Sequence, residues 1–337
     1  MTAIEFPRGR LAVVAALAVT LLASAWLLGF RPKLDAIFGG LASARPAPLW
    51  FAGVGFVAAI LCSAGAWRSA FRRCGACVDP VQAASWYGVG SLANSLAPAR
   101  VGDVVRGTLF ARALEGRDRV WTAAGALAAV GAARSVVLAL LVGTATGVGL
   151  LPVWPVVILV ALVALAALAC VVARKTQRVA KVSRLVEALR AFPRSFSAAA
   201  VLVAWVGGAT AAKLAATTAV AYALGTHSPF TVALLIVPTL EFAALIPITP
   251  GNVGVTSGAI AVALRSRGVP MDSALALGIA VHAMEMVAGL GFGGLSALVV
   301  AGPASVRAHR WKVAVAVTAV CVAATGALAA TTFVDLT

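Results

Sequence analysis

Apolar runs long enough to cross a lipid bilayer recur along this chain, and they restrict its fold class before any single residue is read. Seven of them, roughly 10–30, 47–67, 120–148, 152–173, 197–222, 272–300 and 311–333, can each span hydrocarbon about 30 Å thick as a helix. With 62% hydrophobic residues against 11% charged ones, a soluble fold would expose a largely apolar surface. The chain therefore reads as an all-α polytopic membrane protein, a single integral membrane domain over residues 1–337. The net charge of +16 does not call for a nucleic acid, because the basic residues lie between apolar runs, where anionic lipid heads neutralise them. The run from Leu11 to Phe30 follows a basic start, as a secretory leader would. It exceeds the usual leader core of about 7 to 15 residues and is expected to stay as the first span.

Two further apolar regions break the pattern. Residues 80–97 carry Gln82, Ser85, Ser91, Asn94 and Ser95 and are followed at once by Pro98 and Arg100. Residues 229–264 carry Pro229, Pro238, Pro247 and Pro250. A helix between Pro238 and Pro247 would cover only about 14 Å, half a bilayer. Irregular backbone at that depth survives where protein buries it or a wet cavity solvates it, so both regions are expected to be re-entrant hairpins lining an internal site.

With both hairpins re-entrant, one side collects Arg68, Arg72, Arg73, the cluster Arg100 to Arg119, the tract Arg174 to Arg194, Arg307, Arg310 and Lys312. The other side holds only Arg31, Lys33, Arg45, Arg265 and Arg267. This asymmetry puts the N-terminus in the cytoplasm of a multi-pass protein of the cell membrane. The order span, hairpin, span, span occurs twice, over 47–173 and over 197–333, and the second set starts from the opposite face. An inverted repeat of about seven transmembrane helices plus two re-entrant hairpins is the expected architecture, with a substrate site where the discontinuous helices meet.

Charges inside the spans are costly, about 2.5 to 3.5 kcal/mol each even on an insertion scale. Arg134, Lys213, Glu241 and Glu285 must therefore be paired, hydrated or turned to a cavity. Arg134 and Glu285 fall at matching depths, so they could form a structural ion pair joining the halves. In a functional arrangement, Arg134 and Lys213 receive an anionic group while Glu241 and Glu285 hold the cations or take up a proton. His282 shares a helix face with Glu285, but a metal there would need a second set of ligands. Of five cysteines only Cys74 and Cys77 form a CxxC, and no second pair or nearby histidine completes a zinc site.

In NSLAPARVGDVVR, Asn94, Pro98 and Gly102 interrupt the helix, and a new one is expected from about Val101 with its N-terminus inside the membrane. Such an end attracts anions. Arg100 and Arg106 add charge there, and Asp103 can orient one of them. Arg112, Arg117 and Arg119 read as ordinary cytoplasmic loop charges. In IPITPGNVGVTSGA, proline and glycine stop one half-helix, and Asn252, Thr256 and Ser257 offer caps or polar contacts to the next.

At these two stretches the chain resembles the flippase-like transmembrane family typified by the membrane domain of lysylphosphatidylglycerol synthase. Asn94, Pro98, Arg100, Gly102, Asp103 and Arg106 carry its Asn, Pro-x-Arg-x-Gly-Glu/Asp, Arg pattern. Pro247, Pro250, Gly251 and Gly254 carry its Pro-x-x-Pro-Gly-Gly-x-Gly turn. Asn252 replaces the family's second glycine, and Thr256 and Ser257 stand where an Arg-Glu pair is frequent. The chain ends soon after its last span, so a lysyl-lipid synthase with its soluble transferase domain is not expected.

The resemblance implies a translocase for an anionic lipid headgroup, a polyprenyl-phosphate-linked sugar or a related phospholipid, working without a cofactor and with a homo-oligomer left open. No GxxxxGK[ST] motif is present, so energy would come from a gradient, the membrane potential or consumption of the lipid on the far side. Protonation of Glu241 or Glu285 stands open beside uncoupled exchange. The alternative is an integral-membrane enzyme acting on a lipid-linked substrate, such as a glycosyltransferase. The eleven acidic residues are scattered and offer no catalytic cluster.

Overall fold

The computed structural model describes residues 45–96, 101–115, 119–151, 196–243 and 253–301, with the single positions 157 and 161. Among them every regular element is an α-helix: α1 Pro46–Arg73, α2 Pro80–Leu96, α3 Val101–Ala111, α4 Arg119–Gly147, α5 Phe196–Ala223, α6 Pro229–Ala243, α7 Val253–Arg265 and α8 Met271–Ala301. Four are long and apolar enough to cross a membrane, within Ala47–Arg73, Arg119–Gly147, Ser197–Ala223 and Met271–Val300. They coincide with four of the seven expected spans. The expected spans at 10–30, 152–173 and 311–333, and the basic tract from Arg174 to Arg194, lie outside the described residues.

The remaining helices are shorter: 17 residues in α2, 11 in α3, 15 in α6 and 13 in α7. At 1.5 Å per residue they reach about 17 to 26 Å, short of a hydrocarbon core about 30 Å thick. Local chemistry fixes their starts. Proline opens α1, α2 and α6, where a missing N–H costs nothing. Asp79 also caps α2 by accepting from the Val81 N–H at 3.1 Å. One expectation needs correction: Pro238 does not start a half-helix but lies inside α6. It forfeits a single backbone hydrogen bond, and Thr239 turns its hydroxyl back to the Leu235 carbonyl at 2.8 Å. That bond serves the Leu235 carbonyl and not the Leu234 carbonyl that Pro238 leaves free, and membrane helices tolerate such a proline where neighbouring helices pack against it.

At the centre, α1 and α5 run antiparallel. The Arg45 N–H meets the Ala223 carbonyl at 3.0 Å at one end. Further along, a Cβ on Gly55 would press on Ala216 at 2.9 Å, and one on Gly65 would come within 2.6 Å of the Trp205 ring. Small residues bring the two backbones together where hydrocarbon outside gives no hydrophobic drive to associate. α2 and α8 use the same device: a Cβ on Gly293 would stand 2.7 Å from both the Gly88 carbonyl and Leu92.

Two apolar cores result. The first half of α1 and the second half of α5 join α6, α7 and α8 around Phe56, Ile236, Ile260 and Phe292. The second half of α1 and the first half of α5 join α2, α3 and α4 around Trp67, Phe71, Tyr87 and Phe110. Exchanging α1–α4 with α5–α8 maps the principal helix contacts onto one another: α2 with α8 becomes α6 with α4, and α3 with α4 becomes α7 with α8. The turns correspond too. Gly75 (φ 91°) ends α1 shortly before Pro80, and Gly225 (φ 71°) ends α5 shortly before Pro229.

Candidate functional site

Two groups of charged side chains form inside the bundle. The first joins α2 to α3. Asp103, in the first turn of α3, accepts from Asn94 Nδ2 at 3.3 Å and pairs with Arg106 Nη1 at 3.2 Å. Arg106 also donates to Ser91 Oγ at 3.4 Å. Its guanidinium lies over the Tyr87 ring, 4.1 Å from the centroid, with Trp67 at 5.8 Å. Trp67, Phe71, Trp86 and Phe110 close around it with ring centroids 5.1 to 6.1 Å apart. The Arg106 side chain is only 6% exposed. Cation–π contact and a bidentate-capable donor suit an arginine sealed under aromatic rings.

The backbone is pinched at the same place. A Cβ on Gly90 would come within 2.5 Å of Arg106 Nε and 2.7 Å of the Gly102 carbonyl, and one on Gly102 would collide with the Gly90 carbonyl. Two facing glycines let α2 and α3 close on the arginine. Tyr87 and Trp67 were not among the sequence candidates. The available signal was the spacing of Tyr87, Ser91 and Asn94, which puts all three on one face of a helix.

The second group joins four helices. Lys213 of α5 donates to Glu241 Oε1 of α6 at 2.9 Å and pairs with Glu285 Oε1 of α8 at 3.3 Å. Arg134 of α4 donates to Glu241 Oε2 at 3.3 Å. The structure thus pairs Arg134 with Glu241, while Lys213 answers Glu285. Arg134 and Glu285 stand near the midpoints of their helices, at the depth where burying an unpaired charge costs most. Unlike Arg106, this group is open: side-chain exposure is 48% for Arg134, 32% for Glu285, 23% for Glu241 and 20% for Lys213. α3, which carries Asp103 and Arg106, packs against α4, which carries Arg134, so the two groups share one neighbourhood.

The other expected residues fall as follows. Thr256 and Ser257 are buried in the first turn of α7, and Gly278 of α8 packs against the Ser257 carbonyl. Ser257 Oγ has no hydrogen-bond partner among the described residues. His282 is buried one turn before Glu285 on α8. Arg100 and Asn252, with Pro98, Pro247, Pro250 and Gly251, lie outside the described residues. Outside the bundle, Cys74 is half-buried just beyond α1 and Cys77 is exposed. Burial pushes the Cys74 thiol above its ordinary value, which disfavours the reactive thiolate. Among the described residues no three His, Cys, Asp or Glu side chains are grouped to hold a metal.

The helix layout and the charged α2–α3 pair agree with a family match that covers residues 13–293, to the lysylphosphatidylglycerol synthase transmembrane region. The chain belongs to that family. It is a multi-pass membrane protein tied to lipid metabolism. A comparison with curated proteins finds no match.

Proposed function

We propose that the protein is a transporter rather than an enzyme, a translocase that carries an anionic lipid headgroup across the cell membrane. The observation that supports this most is the open ion cluster of Arg134, Lys213, Glu241 and Glu285 at mid-helix depth. An ion pair needed only for stability is often matched or bettered by well-packed apolar residues. Four partly exposed charges in a region meant for hydrocarbon instead suit a cavity that admits a polar head. Arg134 and Lys213 offer donors to a phosphate, and the two carboxylates keep those donors in place while the cavity is empty.

In this reading α2–α3 and α6–α7 are re-entrant hairpins entering from opposite faces, and residues 47–173 and 197–333 are inverted repeats. Their short lengths and the self-matching packing of the two halves support it. The chain would have about seven spans and a cytoplasmic N-terminus. The lipid's tails would stay in the bilayer through a lateral opening while its head crosses at the cluster, and rocking of one repeat against the other would change the open face. A polyprenyl-phosphate-linked sugar or a related phospholipid fits the donors.

Purified protein in liposomes carrying a leaflet-specific labelled lipid tests this. Transport appears as a change of sidedness with the lipid chemically intact. A new lipid product with unchanged sidedness would replace the translocase with an enzyme.

A further inference from the structure

The open cluster is electrically balanced. Arg134 and Lys213 face Glu241 and Glu285, and the connections run in series from Arg134 to Glu241 to Lys213 to Glu285. An arriving phosphate upsets that balance by adding negative charge in a poorly solvated region, where an uncompensated charge is costly. The ends of the series differ. Glu241 is held by both cations at 2.9 and 3.3 Å, whereas among the described residues Glu285 pairs with Lys213 alone, at 3.3 Å. Lys213 can turn its ammonium from Glu285 to a phosphate oxygen while still bonded to Glu241. Glu285 would then be left as an unpaired carboxylate at mid-helix.

On the reading of the site as an anion-binding translocase, we propose that Glu285 is a proton-binding site coupled to the headgroup. It binds one proton from bulk water as Lys213 transfers to the phosphate, and releases it when the lipid leaves and Lys213 returns. No bond other than the carboxyl O–H forms or breaks, and net charge in the cluster is the same with and without a singly charged lipid. The headgroup therefore moves with a proton, and a transmembrane proton gradient can drive it. Among the described residues the other titratable and charged groups of the cluster are His282 on α8 itself, Lys213 on α5, Glu241 on α6 and Arg134 on α4. Within the cluster Lys213 and Arg134 are needed as cations and Glu241 retains Arg134. His282, buried one turn away, is the rival acceptor.

The test is calorimetric binding of dihexanoylphosphatidylglycerol, a phosphodiester of single charge, to the purified full chain in nanodiscs. It is run in two phosphate-free buffers of different ionisation enthalpy. The wild type is expected to take up about one proton per lipid bound near neutral pH. Glu285→Gln is expected to bind with no uptake, and His282→Asn is expected to keep the uptake whatever its affinity. Binding of the wild type without proton uptake, or with a dependence on sodium instead, overturns the proton site but leaves the translocase standing. Uptake that persists in Glu285→Gln and vanishes in His282→Asn moves it to the histidine and overturns the assignment. If neither this lipid nor a glycosylated polyprenyl phosphate binds the wild type, the anion site fails, and the proton site fails with it. Should Glu285→Gln not fold, the wild-type buffer dependence and His282→Asn still decide the matter.

Discussion

The two helix pairs α2–α3 and α6–α7 hold charges of the same kinds in opposite ways. In the first, Arg106 is sealed: glycines bring the backbones into contact, Tyr87 and Trp67 cover the guanidinium, and Asp103 binds it across less than one helical turn. In the second, Glu241 reaches outward to cations on two other helices, and every partner stays partly exposed. A sealed pair cannot exchange its partner for a ligand without opening the fold, whereas a shared, half-exposed one can. On the proposed reading the first group is a pin that fixes the helix pair against α1, and the second is the part that handles a substrate.

Variants can break or sharpen that contrast. The largest effect is expected where the backbones touch. Gly102→Val drives a branched side chain into the Gly90 carbonyl, and with overpacking worth about 1 to 3 kcal/mol per site the folded yield in membranes should collapse. Arg106→Ala comes next. It removes the cation that packs against Tyr87 and Trp67 and empties the space between the rings, while Asp103 stays partly solvated and bonded to Asn94. Thermal unfolding in detergent should show a large drop, and transport per folded molecule should change little. A normal melting profile with lost transport would make Arg106 a substrate ligand instead.

Arg134→Ala should do the reverse. Its side chain is half-exposed and Glu241 keeps Lys213 as a partner, so melting should barely move while headgroup transfer is abolished. The smallest effect is expected at the CxxC loop. Cys74→Ser with Cys77→Ser should alter stability by about 0.5 kcal/mol at most and leave transport unchanged. With both thiols present, alkylation of Cys74 should need a higher pH than alkylation of Cys77, because burial raises the Cys74 thiol.

Much of the fold was legible because membrane spans are written in long apolar runs. Both ends of α4, α5 and α8 and the start of α1 fall within one residue of the expected limits, α1 runs past its expected end at 67 to Arg73, and α3 starts at Val101 as the Pro98–Gly102 interruption suggested. Pro238 misled because proline weakens a helix locally, and whether the helix continues depends on neighbours that a linear reading cannot supply. The four intramembrane charges were evident from cost alone. Their pairing was not, since it depends on which helices adjoin and how each is rotated. For the same reason Tyr87 and Trp67 escaped notice: the cage exists only once α1, α2 and α3 pack together.

The most direct test of the exchangeable cluster is the initial rate of leaflet exchange of an anionic lipid in proteoliposomes, compared between wild type and Arg134→Ala at equal folded protein. The expected result is rapid exchange in the wild type, none above protein-free liposomes in the variant, and no acceleration of a neutral lipid by either. Equal rates for wild type and variant would contradict a phosphate-carrying role for the cluster.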